Sequence, residues 1–321
     1  MNADLLLSNL TNPTLLFFLL GVVAHAVKSD LEIPPTTIKF ISLYLLFSIG
    51  FKGGQELAHE HLNGQVAKEL VFGMAIASVI PFYAFYLLRN KLGVQNAGAV
   101  AAAYGSVSAV TFVAATGFLE AKELVFNGHM VAIMALMESP AIIVGMVLLM
   151  QYDRESTERP TLGHMLRHSF TNASVLILIG SLIIGLVADA KQAEGIKPFT
   201  TDIFKGFLAI FLLEMGMVTA ARFKAFRTYG WYAITIAVLL PLINGCAVAW
   251  SSGMVTTHLG DRFMFAILAA SASYIAVPAA MRLAAPKADP GLYIPMALGV
   301  TFPFNITVGM PLYHYIVQSS T

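Results

Sequence analysis

Charge is what this sequence has least of. Lys, Arg, Asp and Glu make up 12% of the 321 residues, and 57% are hydrophobic. A soluble domain carries roughly a quarter charged residues, so this composition excludes one and marks an integral membrane protein. A formal net charge of +1 gives no electrostatic footprint for nucleic acid. The single cysteine, Cys246, excludes an intrachain disulfide and is silent on redox compartment. The first residues lack the basic segment and small-residue cleavage site of a signal peptide, so the apolar run from Leu15 reads as a first span. No phosphate loop, His-Glu-x-x-His zinc motif, nucleophile elbow or paired acids of an intramembrane aspartyl protease occurs. The chain reads as a non-enzyme with no cofactor.

What is present is apolar sequence in span-sized pieces. A span takes about 20 mostly apolar residues. The expectation is an all-α membrane protein with ten spans at 13–28, 36–52, 67–88, 96–118, 128–151, 168–188, 201–220, 229–252, 263–283 and 291–317. Turn signals at Ile33-Pro34-Pro35, Asn63-Gly64, Asn127-Gly128, Glu194-Gly195 and Asp289-Pro290-Gly291 separate several of them.

The longest polar connection, 152–167, divides the chain into halves 1–151 and 168–321 of five spans each. The halves echo one another in order. Asn12-Pro13-Thr14-Leu15 matches Asn172-Ala173-Ser174-Val175 loosely, and Gly50 matches Gly216. Pro81 matches Pro241, Ser106-Val107-Ser108 matches Ser271-Ala272-Ser273, and Val144-Gly145-Met146 matches Val308-Gly309-Met310. All offsets fall between 160 and 166, the mark of an internal repeat. Five spans per repeat make the second half enter from the opposite side, an inverted repeat about an axis in the membrane plane.

Of the 19 Lys and Arg, 12 fall on the side of the odd-numbered connections. That bias puts these connections, 152–167 included, in the cytoplasm and both termini outside a plasma (inner) membrane.

Two stretches disturb the apolar pattern at matched positions. Tyr104-Gly105-Ser106-Val107-Ser108-Ala109-Val110-Thr111 lies in the fourth expected span, and Ala270-Ser271-Ala272-Ser273-Tyr274-Ile275-Ala276-Val277-Pro278 in the ninth. Glycine, proline and hydroxyls weaken a helix. A broken span exposes N–H groups and a partial positive charge that attract an anion, and carbonyls and hydroxyls that hold a cation such as Na⁺. Gly105, Ser106, Ser108, Thr111, Ser271, Ser273 and the backbone before Pro278 are the candidates. Na⁺ would be shared by Ser108, Thr111 and Ser273. Tyr104 and Tyr274 flank the stretches as pocket or packing residues. The plainer alternative is close helix packing with hydroxyls bonded to their own helix.

Glu138 lies deep in the fifth span, where a carboxylate is costly. It would bind a cation, cycle a proton, or pair with a nearby Lys or Arg. The corresponding region of the tenth span holds Thr301, Asn305 and Thr307. Glu214 is a second intramembrane acid. His59-Glu60-His61 reads as a solvated loop, since residues two apart do not share a helix face. His25 and His314 read as bonded within the bundle.

At these residues the chain resembles the sodium-dependent bicarbonate permease family, in its cyanobacterial high-affinity form, over nearly its whole length. The resemblance is carried by Asn12-Pro13-Thr14-Leu15, Ile33-Pro34, Ile49-Gly50-Phe51-Lys52-Gly53-Gly54, both hydroxyl-rich stretches, Met137-Glu138-Ser139-Pro140-Ala141 and Thr301-Phe302-Pro303-Phe304-Asn305. It implies a five-plus-five inverted repeat, a homotrimer, and Na⁺-coupled bicarbonate uptake by alternating access. It also implies that Gly105, Ser106, Ser108, Thr111, Ser271 and Ser273 line the anion and Na⁺ pocket. The family's cyanobacterial members have a longer central loop and a trimeric signalling protein as regulator; the short 152–167 loop here departs from that. The alternatives are an H⁺-coupled or channel-like permease for another small anion and, from a different class, an intramembrane enzyme or receptor.

Overall fold

A computed structural model of the chain describes residues 13–59, 64–152, 173–226, 230–274 and 285–320, with Val277 and Met281. The central connection beyond 152, the Glu60-His61 pair, Asn12, Asn172 and Pro278 lie outside the described residues. Among the described residues there is helix and no strand. Apolar sequence of this kind must satisfy its backbone internally, and helices do so within each segment.

The helices are α1 (Pro13–Ala26), α2 (Pro35–His59), α3 (Gly64–Gly105), α4 (Ala109–Ala121), α5 (His129–Tyr152) and α6 (Ala173–Val187). They continue as α7 (Ala190–Lys197), α8 (Phe204–Phe226), α9 (Gly230–Ser251), α10 (Leu259–Ala270) and α11 (Pro290–Ser319). α3 is two arms, 64–92 and 94–105, turned at Gly93 with φ 76° and ψ 163°. That conformation is readily available only to glycine.

Length and hydropathy alone mark five stretches able to cross a membrane: Gly64–Ala121, His129–Tyr152, Lys191–Ala221, Gly230–Met254 and Pro290–Ser319. Leu16–Ala26 and Leu176–Val187 are shorter apolar helices. Gly64–Ala121 holds two of the ten expected segments. α2, which carries Lys39, Lys52 and Glu56, and α10, which is 12 residues long, are outside the set.

One turn signal did not make a turn. Glu194-Gly195 lies inside α7, which starts where Asp189 accepts a hydrogen bond from the Lys191 N–H at 2.9 Å. An N-cap of this kind starts a helix, and one interior glycine does not stop it. At Asp289-Pro290-Gly291 the signal is a helix start too: Asp289 accepts from the Gly291 N–H at 2.8 Å, with Pro290 in the first turn.

The extensive packing pairs are α1 with α8, α2 with α6, α3 with α5, and α9 with α10. Glycines let the first two pairs touch backbone to backbone. A Cβ on Gly21 would stand 1.9 Å from the Leu213 carbonyl oxygen, and one on Gly216 2.0 Å from that of Phe18. Likewise Gly50 abuts Ser181 and Leu178, and a Cβ on Gly185 would stand 2.2 Å from the Phe51 oxygen. Small residues at helix crossings are how membrane helices gain contact.

The innermost elements are the second arm of α3, buried from Ala97 to Gly105, and α10, buried from Gly260 to Ala270. At the periphery, Trp231 and Trp250 are 82% and 66% exposed at opposite ends of α9. Nineteen residues of helix separate them, about 28 Å of rise. That matches the roughly 30 Å hydrocarbon thickness at whose edges tryptophan concentrates.

Candidate transport site

Two helix breaks meet at the centre. In the first, α3 ends at Gly105 and Ser108 turns extended (φ −106°, ψ 109°) to cap α4. Its Oγ accepts from the Thr111 N–H at 3.2 Å. Serine suits this position because its oxygen satisfies an amide the new helix leaves open. In the second, α10 ends at Ala270, Ser271 is extended (φ −81°, ψ 167°), and the chain stays non-helical through Tyr274 before Val277 and Met281 are helical again.

The breaks are hydrogen-bonded to each other. The Ser108 N–H donates to Ser271 Oγ at 3.0 Å, and the Ser273 N–H donates to the Ala103 oxygen at 2.8 Å. Ser271 Oγ in turn donates to the Leu268 oxygen at 2.8 Å. Ser273 Oγ accepts from the Val277 N–H at 3.5 Å. The Tyr274 hydroxyl lies beside Ser108 without a well-formed hydrogen bond. Ser106, Ser108, Thr111, Ser271 and Ser273 are all buried, and Ser106 Oγ has no hydrogen-bond partner among the described residues. A buried hydroxyl without a partner is costly, and here it sits between two helix ends.

Gly105 serves packing. A Cβ there would stand 2.2 Å from Pro81 Cγ in the first arm of α3. Tyr104 is buried, and its hydroxyl donates to Thr301 Oγ1 at 2.7 Å, since Thr301 donates onward to the Ala237 oxygen at 2.7 Å. Asn305, fully buried, clamps the second break: Nδ2 donates to the Ala270 oxygen at 2.8 Å, and Oδ1 lies 3.3 Å from the Tyr313 hydroxyl. Around Thr301 and Asn305 the helix α11 widens into π turns at Met296–Thr301 and Asn305–Gly309. Such bulges collect at functional positions.

The other expected residues lie elsewhere. Glu138 is half-buried in α5 and has neither a hydrogen bond nor an ion pair among the described residues, so a structural partner is not found there. It makes no hydrogen bond to either break. Glu214 lines a cavity of about 280 Å³ with His25 and Glu32, between α1, α2 and α8. Thr307 is exposed and bonds the Pro303 oxygen of its own helix. His314 packs edge-on against Phe118 and Phe263 at 5.8 and 6.1 Å. One contact escaped the sequence: Tyr83 donates to Asn244 Oδ1 between α3 and α9. An asparagine inside the apolar α9 was the available signal.

Apolar helices packed through glycine and two buried breaks bonded to each other define a polytopic helical membrane protein built around a central polar crossing. The model of the Na⁺-dependent bicarbonate transporter superfamily matches residues 13–318, and the chain belongs to that superfamily. It is therefore a membrane transporter and not an enzyme. A search of the curated proteins finds no match.

Proposed function

We propose that the chain carries bicarbonate into the cell together with Na⁺, by alternating access, and that both are held where the two breaks cross. The observation that carries this reading is the pair of bonds from Ser108 to Ser271 and from Ser273 to Ala103. It brings together the N-terminus of α4 and the helix that resumes after Tyr274. Their positive ends favour an anion. The C-terminal ends of α3 and α10 offer carbonyls, and Ser108, Thr111 and Ser273 offer oxygens, for Na⁺. Gly105 and Asn305 hold the breaks in register, Ser106 and Tyr274 face the bound ions, and Glu138 sets the coupling.

The helices act as a five-plus-five inverted repeat. The exchanged pairs support this: α1 packs on α8 while α2 packs on α6. The glycines follow the same exchange, Gly21 corresponding to Gly185 and Gly50 to Gly216, at offsets of 164 and 166. Both termini lie outside the cell, and the protein works as a homotrimer in the plasma membrane. The trimeric signalling regulator of the cyanobacterial relatives would have to engage the short central connection.

Radiolabelled bicarbonate uptake into proteoliposomes tests the reading. Uptake should saturate, require an inward Na⁺ gradient, and resist competition by other small anions. Uptake of equal size without Na⁺, or driven only by a proton gradient, would overturn it.

A further inference from the structure

A second polar cluster lies away from the crossing. Glu69 near the start of α3, His129 at the start of α5 and Asp261 at the start of α10 are 1%, 4% and 0% exposed. One ligating atom from each lies within 4.8 Å of the other two. His129 Nε2 is 2.5 Å from Glu69 Oε2. Both carboxylates are held from behind. Gln65 Nε2 donates to Glu69 Oε1 at 2.8 Å. Asn127 donates its N–H to Asp261 Oδ1 at 2.7 Å and its Nδ2 to Oδ2 at 2.6 Å. At the cluster's more open edge, His258 Nδ1 is 3.3 Å from Asp261 Oδ2.

The charge of the two carboxylates is balanced only if both facing imidazoles are protonated. Glu69 and Asp261 pair with imidazoles and with no Lys or Arg among the described residues. Arg262, next in the chain, donates instead to the Ala249 oxygen at 3.1 Å and Ser320 Oγ at 2.6 Å. Two buried carboxylates without a fixed cation are expensive, and one divalent ion would neutralise both. The imidazole selects the metal: hard Mg²⁺ and Ca²⁺ take oxygen ligands, whereas zinc-type ions take nitrogen as well.

We infer that Glu69, His129 and Asp261 form a binding site for a divalent transition metal of the zinc type, with a fourth position for water or His258. A tetrahedral ion with ligands at about 2.1 Å spaces its donors about 3.4 Å apart; the three donors here lie within 4.8 Å of one another, with the His129–Glu69 pair at 2.5 Å. The hydrogen bonds from Gln65 and Asn127 orient the ligands, as outer partners do in metal sites. The ion ties α3 and α5 to α10. Along α10 it stands about 15 Å of helix rise from Ser271, so this site does not rest on the transport reading.

The test is Zn²⁺ titration by calorimetry of the full-length, tag-free protein in detergent. One Zn²⁺ per chain should bind, with no comparable heat from Mg²⁺. Loss of an outer partner alone costs 10–100-fold in metal sites, so Glu69→Gln, His129→Gln and Asp261→Asn should each weaken binding at least ~10-fold. His59→Ala with His61→Ala, which removes a histidine pair outside the cluster, should leave it unchanged. X-ray absorption at the zinc edge of the wild-type protein needs no variant to fold. It should give a nitrogen and oxygen shell at about 2.0–2.2 Å with one or two imidazoles. Absence of stoichiometric binding, unchanged affinity in the ligand variants, or a shell lacking imidazole would overturn the inference.

Discussion

The N–H of Ser108 donates to the Oγ of Ser271 at 3.0 Å across 163 residues of chain. The bond joins the cap of one half-helix to the end of another, and both partners are buried. Ser271→Ala leaves that amide without an acceptor, at a cost of about 1–3 kcal/mol. Thermal unfolding in detergent should move down accordingly, and uptake per folded molecule should fall further than stability. Ser108→Ala also removes the cap of α4, worth about 1 kcal/mol. If Ser108→Ala and Ser273→Ala both transport normally, the crossing is packing and not a site.

Two glycines separate backbone need from packing need. Gly93 has a positive φ and open space around it. Gly93→Ala should therefore cost about 1–3 kcal/mol of stability while transport per folded molecule is kept. Gly105→Ala sets a methyl 2.2 Å from Pro81 Cγ. Overpacking of this kind forces the backbone to shift, and here the shift falls on the break itself. Transport should be lost even where folded protein is recovered. The same comparison with the opposite ranking would contradict the assignment of the break.

Glu138 has no hydrogen bond or ion pair among the described residues, and a half-buried acid of this kind in an apolar helix is a functional hypothesis to be tested. Glu138→Gln should abolish uptake or separate it from the Na⁺ gradient. Proteoliposome flux with and without Na⁺ distinguishes the two. Full Na⁺-dependent activity in the variant would make Glu138 a structural residue.

The orientation has its own test. A cysteine introduced after Ser320, with Cys246→Ser, should react with an impermeant maleimide added to intact cells. Labelling only after the cells are opened would reverse the assigned sidedness. In the same protein, shallow brominated lipids should quench Trp231 and Trp250 more than deep ones do, because both rings stand at the ends of α9.

Much of this was legible before the structure because hydropathy and helix breaking are local properties. The two hydroxyl-rich stretches fell where the helices break, and Asp289-Pro290 fell where α11 begins. What was not legible depends on distance along the chain. Glu69, His129 and Asp261 share no motif and lie in three helices. Asn305 was visible as a polar residue in a span, but not as the clamp on Ala270. Gly105 was visible as a helix-weakening candidate, but not as the place where Pro81 fills the space a side chain would need. Gly195 read as a turn because its helix is held by a cap six residues earlier.

The central claim is that one crossing holds the anion and Na⁺ together. Equilibrium binding of ²²Na⁺ to the purified protein, measured with and without bicarbonate, addresses it directly. Ligands sharing a site of this kind raise one another's affinity by the same factor, by thermodynamic linkage. Bicarbonate should tighten Na⁺ binding, Na⁺ should tighten bicarbonate binding equally, and Ser271→Ala should reduce both effects. A Na⁺ affinity that bicarbonate leaves unchanged would contradict the account.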